Sequence, residues 1–97
     1  MAFYVYMAQC ADGTLYTGYT TDLARREQAH NAGKGAKYTR SRRPVHLVWA
    51  EQCPDKSAAL RREWAVKRLT RQEKLALIAA GGAAAAPVAP GAEEELP

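Results

Sequence analysis

Cysteine is nearly missing from this chain: there are two, Cys10 and Cys53, far apart and without companion ligands. That excludes a disulfide framework and gives no support to a zinc site, so both are expected as reduced thiols at strand ends. Long apolar runs are missing too, and the first residues carry neither a basic n-region nor an apolar h-region. A cytoplasmic protein with no membrane partner is the expectation. Acidic residues are scarce, 10 against 14 Lys and Arg, and positions 32–44 contain none.

At 97 residues there is room for one core. The aromatic, aliphatic and charged mixture of a packed fold spans residues 1–80. Residues 81–97 are small, broken by proline and ended by Glu93-Glu94-Glu95, a composition that cannot bury enough surface to offset ordering, so a disordered tail is expected. All 14 cations lie in residues 1–80 against seven acids, leaving that part at +7, while the tail brings the total to +4. Such a core favours a polyanionic partner, but charge alone does not separate nucleic acid from an anionic membrane or mere solubility.

Phe3 to Ala8 and Leu15 to Tyr19 are β-prone runs around an Asp12-Gly13 turn, which predicts a hairpin. Thr20-Thr21-Asp22 offers caps for a helix from Leu23 to His30 that stops near Asn31 and Gly33. Residues 32–44, with two glycines, a proline and five cations, read as an extended loop over solvent. Val45 to Glu51 branches and alternates like a strand, Pro54-Asp55 opens a helix to about Leu69, and Thr70-Arg71-Gln72-Glu73 is a capping box before a helix through Ile78. The order is β-β-α-β-α-α, an α+β arrangement without internal repeats.

Turning each helix at about 100° per residue puts Arg26, Glu27 and His30 beside Leu23, the large apolar anchor of the first helix. In the next helix it takes Ala59, Leu60, Trp64 and Val66 as the core arc, with Glu63 in its middle and Lys67 beside it. An inward carboxylate needs a cation, a metal ion or a set of donors, and Lys67 at i,i+4 is the plainest partner. The hairpin poses a question of register. A two-residue loop pairs positions summing to 25 and puts Tyr6 and Tyr16 on opposite faces, whereas a bulge at Gly13 brings them to one face.

Taken together, these residues resemble the GIY-YIG nuclease superfamily over residues 3 to about 78. Tyr4-Val5-Tyr6 sits where that family has Gly-Ile-Tyr, and Tyr16-Thr17-Gly18 where it has Tyr-Ile-Gly. Arg26, His30 and Glu63 match its arginine, histidine and metal-binding glutamate. The run His30 to Thr39 followed by Arg42-Arg43-Pro44 is similar to the small single-domain bacterial subfamily UPF0213. Tyr4 and Thr17 depart from the motif, the late asparagine of many members has no counterpart, and a separate DNA-recognition domain like that of larger relatives is not expected.

The resemblance implies the GIY-YIG fold, a small three-stranded, mainly antiparallel sheet flanked by helices. It also implies a metal-dependent endonuclease acting on DNA with little base specificity, with branched, flapped or single-stranded forms as candidate substrates. In that scheme one divalent ion, Mg²⁺ or Mn²⁺, binds Glu63, Arg26 meets a phosphate oxygen, and Tyr6 or Tyr16 handles the attacking water. His30 bonds to a tyrosine or to phosphate, and Tyr38 adds a polar ring from the loop. Lys34, Lys37, Arg40, Arg42, Arg43 and Lys67 would follow the phosphate backbone without reading bases. A nucleic-acid-binding module with weak or no catalysis is the alternative, and the oligomeric state is left open.

Overall fold

The computed structural model describes residues 2–81. Strands β1 (Phe3–Gln9) and β2 (Leu15–Thr20) form the expected hairpin, and β3 (His46–Cys53) lies on the other side of β1, giving the order β2-β1-β3 with both pairings antiparallel. Helix α1 (Leu23–Asn31) follows the hairpin, and α3 (Lys56–Lys67) and α4 (Arg71–Ala80) follow β3. The tail expected at 81–97 lies outside the described residues except for Gly81.

The hairpin turn settles the register. Gly13 has φ of 86° and its N–H reaches the Cys10 carbonyl at 2.9 Å, while Cys10 N–H reaches Thr14 O at 2.9 Å. This is a three-residue loop whose last residue sits in the left-handed region, where a β-carbon is penalised. Strand partners therefore sum to 24: Tyr6 faces Gly18 and Ala8 faces Tyr16. Tyr6 and Tyr16 share one face, as the bulge requires.

The sheet is covered on both faces. Tyr6, Ala8, Leu23, Val45, Leu47 and Ala50 pack under α1, while Val5, Met7, Trp49, Ala59 and Val66 pack under α3 and α4. A register shift in β3 opposite Met7 and Ala8 lets Leu47 and Ala50 serve the first cluster while Val48 and Trp49 serve the second. Both cysteines are free and buried, Cys10 just past β1 and Cys53 at the end of β3.

Capping follows the sequence. Asp22 accepts from Arg25 N–H at 3.0 Å, Asp55 from Ala58 N–H at 2.8 Å, and Thr70 and Glu73 form both bonds of the capping box. Helix α1 ends where Gly33, with φ of 80°, donates to His30 O and Lys34 N–H reaches back to Ala29 O.

Two expectations are corrected. Residues 32–44 are not wholly an extended solvent loop, because Lys37–Arg40 form a one-turn helix, α2, with Thr39 fully buried. On α3 the core side is Ala59 and Val66, with Arg62 and Glu63 at its margins, while Leu60 and Trp64 point out at 42% and 63% exposure. Small residues let α3 lie close to the sheet. The stem of Arg62 covers that margin, its guanidinium pairing with Glu51 at 3.1 Å and lying over the Trp49 ring.

Candidate functional site

The shared face of the hairpin meets the inward face of α1. Tyr6 and Tyr16 have ring centroids 6.4 Å apart, and the His30 ring stands edge-on to both, at 5.8 and 5.5 Å. Tyr38, carried by α2, stacks on Tyr16 at 6.0 Å. Four of the residues singled out in the sequence thus lie in one cluster, reached from four elements.

Hydrogen bonds join them into a directed chain. Arg26 Nε lies 3.2 Å from the Tyr6 hydroxyl, which lies 2.8 Å from His30 Nε2. His30 Nδ1 lies 2.8 Å from Thr39 Oγ1, and Thr39 Oγ1 donates to the Ala36 carbonyl at 2.9 Å. A carbonyl can only accept, so the Thr39 proton points to Ala36 and the Thr39 oxygen accepts from Nδ1–H. The neutral imidazole then offers its Nε2 lone pair to Tyr6, which donates. Arg26 donates to the same phenol oxygen. One backbone carbonyl, at the N-cap of α2, sets the direction of the Thr39, His30 and Tyr6 protons.

The electrostatics agree with this assignment. Burial and then the Arg26 charge lower the His30 pKa from its ordinary value, so the ring is neutral near pH 7. Burial pushes the Tyr6 pKa up to about 12, against the Arg26 hydrogen bond and charge, which pull it down, while Glu63 adds to the rise. Arg26 is raised, first by its bond to Tyr6. The free protein therefore holds Tyr6 as a phenol beside a permanent cation.

Close packing fixes the chain. A β-carbon on Gly18 would come within 2.7 Å of the Tyr6 oxygen, and one on Gly35 would land on His30 Nδ1. Thr39, Gly35 and Gly18 are thus as much part of the cluster as the titratable groups. Gly18 carries a sequence signal as part of the tyrosine triplet, and Gly35 and Thr39 lie within the His30–Thr39 run of the family resemblance; nothing local marks these two as site residues, because their importance is a contact made across the fold.

Glu63 lies at the margin of α3, its side chain 16% exposed and its Oε2 3.0 Å from Lys67 Nζ, the i,i+4 pair expected from the sequence. Lys67 and Lys74 flank an opening shared with Leu15, Tyr16, Thr17 and Tyr38. Lys34, Lys37 and Arg40 are exposed on the α1–α2 segment. Arg42 is engaged within the fold: it pairs with Asp12 at 3.1 Å, donates to Tyr38 O and lies over the Tyr38 ring at 3.9 Å. Arg43 donates to Arg40 O and Asn31 O.

Among the described residues no group of three or more His, Cys, Asp or Glu could hold a metal ion. The donor available is the single hard oxygen set of Glu63. It fits a cation that keeps most of its water, such as Mg²⁺, and does not fit zinc. No helix among the described residues is long and apolar enough to cross a membrane.

Residues 2–76 match the family described as the GIY-YIG catalytic domain. A UPF0213 protein of Desulfotalea psychrophila is 58% identical over 80 residues, covering 81% of this chain and 73% of that protein. A UPF0213 protein of Staphylococcus aureus is 56% identical over 75 residues, covering 77% and 92%. Among solved structures, the solution structure of a UPF0213 protein from Bacillus halodurans is 49% identical with a TM-score of 0.55, covering 87% of this chain and 89% of that one. On this evidence the chain belongs to the GIY-YIG nuclease superfamily and, within it, to the small proteins named UPF0213.

Proposed function

We propose that the protein is a metal-dependent endonuclease that hydrolyses DNA phosphodiester bonds with little base specificity. The observation that carries this reading is the directed chain Arg26–Tyr6–His30–Thr39. It places a guanidinium, a phenol and a neutral imidazole in series on the wall of a basic domain.

Tyr6 takes the proton of the attacking water as it passes its own proton to His30 Nε2, so no free phenolate has to form. That matters because a phenol with a pKa near 12 is a poor base on its own at neutral pH. Thr39 holds Nδ1–H, which keeps the accepting nitrogen aimed at Tyr6. Tyr6 is fully buried in the free protein, and its bond from Arg26 is long, 3.2 Å. A phosphate that draws the guanidinium toward itself uncovers the phenol oxygen for water. Arg26 then offsets the charge growing on the non-bridging oxygens, a role for which lysine lacks the fork of donors.

Tyr16 and Tyr38, stacked at the mouth, orient water and sugar. Glu63 is the carboxylate that would hold Mg²⁺ or Mn²⁺. When bound, such an ion supplies Lewis-acid stabilisation of the phosphoryl and leaving oxygens. Lys34, Lys37, Arg40 and Lys67 provide sequence-independent attraction to phosphates, with Arg42 and Arg43 shaping the segment that carries them.

The test is cleavage of duplex, single-stranded and branched DNA by the purified protein with Mg²⁺ or Mn²⁺. Glu63→Ala and Arg26→Ala should each remove activity while binding persists. Arg26→Lys should lose about 10²–10³-fold. Cleavage that survives both alanine variants defeats the assignment.

A further inference from the structure

Helix α3 carries a feature that neither the cluster nor the core uses. Trp64 is 63% exposed, Leu60 is 42% exposed, and with Arg61 and Ala65 they line one groove. Arg68 lies over the Trp64 ring with its guanidinium carbon 4.5 Å from the centroid. The other tryptophan, Trp49, is 1% exposed.

Position on the helix connects this ledge to the site. With Ala59 and Val66 facing the sheet, Glu63 lies at one margin of α3. Successive turns of about 100° bring Lys67 and Leu60, then Trp64, then Arg68 around the helix from that margin. The ledge is thus the continuation of the flank that carries Glu63 and Lys67, the same Lys67 that stands beside Tyr16 and Tyr38. It lies away from the opposite margin, where Arg62 and Leu69 border α4.

Chemistry selects the occupant. Arg61 lines the groove with the ring, Arg68 lies over the ring, and Lys67 follows on the same flank, where it pairs with the acid Glu63. A second copy of the chain would bring the same cations against these, and two large apolar side chains fall far short of the twenty or more residues a stable interface uses. A nucleic-acid strand brings negative phosphates for the cations and a flat π-face for the indole. A base within an intact duplex has no free face to offer, so the base must be unpaired.

We propose that Trp64 and Leu60 form a stacking subsite for an unpaired base of the nucleic acid held at the Tyr6–Arg26 site. The substrate class is then DNA with a single-stranded segment next to the cut, such as a flap, overhang or free strand. This rests on the nucleic-acid reading proposed above and adds to it a preference that the cleavage cluster cannot supply.

The experiment is a fluorescence titration of the full chain without divalent ions, in which Trp49 is shielded and Trp64 reports. The probes are a short oligothymidylate, an abasic strand of the same length and a blunt duplex. Oligothymidylate should quench the emission and bind about tenfold more tightly than the abasic strand, in line with the usual worth of one base–aromatic stack. Read by anisotropy of a labelled strand, because these variants lack the reporter, Trp64→Ala and Trp64→Leu should reduce oligothymidylate affinity to the abasic level, whereas Trp64→Tyr should restore it.

Equal affinity for the two strands overturns the inference, as does indifference to Trp64→Ala. It is also overturned if Trp64→Ala changes the mass in sedimentation and leaves strand affinity unchanged, since the face would then meet protein. Trp64-dependent binding in a protein that never cleaves leaves the inference standing and removes the nuclease reading. Cleavage indifferent to Trp64 does the reverse.

Discussion

The Tyr6 hydroxyl donates its proton to His30 Nε2 across 2.8 Å, and a hydroxyl nine residues further along, on Thr39, holds the other nitrogen of the ring. The donor and acceptor roles are therefore built into the resting protein and do not await substrate. They also make the two residues a unit, so that losing either should cost much the same as losing both.

Tyr6→Phe and His30→Phe should each lower kcat/KM by about 10²–10⁴-fold, with the double variant little worse than the worse single one. Tyr16→Phe should cost less, because Tyr16 has no route for a proton to His30. Single-turnover cleavage of one labelled oligonucleotide decides it; additive losses would mean that the two act separately.

The pH dependence of cleavage follows from the sign of the His30 shift. Only the neutral ring accepts a proton, and its pKa is lowered. Activity should stay level as pH falls through about 6.5, the ordinary histidine value, and decline only below it. An acid limb centred above that value would contradict the neutral buried ring.

Stability carries the same signature. Below about pH 6.5 the unfolded chain binds a proton at His30 that the folded chain resists, so the folded state loses stability as pH falls toward the depressed pKa. The slope from this group is at most about 1.4 kcal/mol per pH unit. Urea titrations at pH 7.5 and 5.5 should show a smaller difference in His30→Gln than in the parent.

Asn31 clasps the start of β3: its Nδ2 donates to Val45 O at 2.8 Å and its Oδ1 accepts from Val45 N–H at 2.6 Å. Asn31→Ala leaves two backbone groups of a buried residue unpaired and should cost about 2–3 kcal/mol. Denaturant midpoints measure this, and a loss under 0.5 kcal/mol, roughly that of an ordinary surface change, would show that water replaces the clasp.

Salt titration separates the cations by their engagement. Replacing Lys34, Lys37 and Arg40 with glutamine should reduce the slope of log affinity against log salt by about two to three, near one per phosphate contact. Replacing Arg42 and Arg43 is a poorer probe, because both hold the α2 segment and the hairpin turn through Asp12, Tyr38 and Asn31. A slope that the triple variant leaves intact would move the phosphate track elsewhere on the surface.

Much of the framework was legible because it is written in local signals. Asp12-Gly13, Asp22, Asp55 and Thr70–Glu73 each encode a turn or cap within a few residues, and each appears in the structure. Arg26 and His30 were found because polar groups on the inward side of a helix stand out against the period. Helix α2 was missed because its reason is distant: Thr39 is buried by a histidine nine residues earlier, and no apolar period marks the segment. Trp64 falls outside the arc that the helical period predicts because bulk alone does not bury a residue, and the sheet packs against the smaller Ala59 and Val66.

The bulge at Gly13 makes the site sensitive to the parity of a loop. Removing or adding one residue between β1 and β2 would leave a hairpin able to close, yet turn Tyr16 to the face opposite Tyr6 and empty the mouth of the cluster. A change of two residues would keep both tyrosines together. Ordinary hairpin tips drift in length during divergence; at this tip only even steps preserve the site.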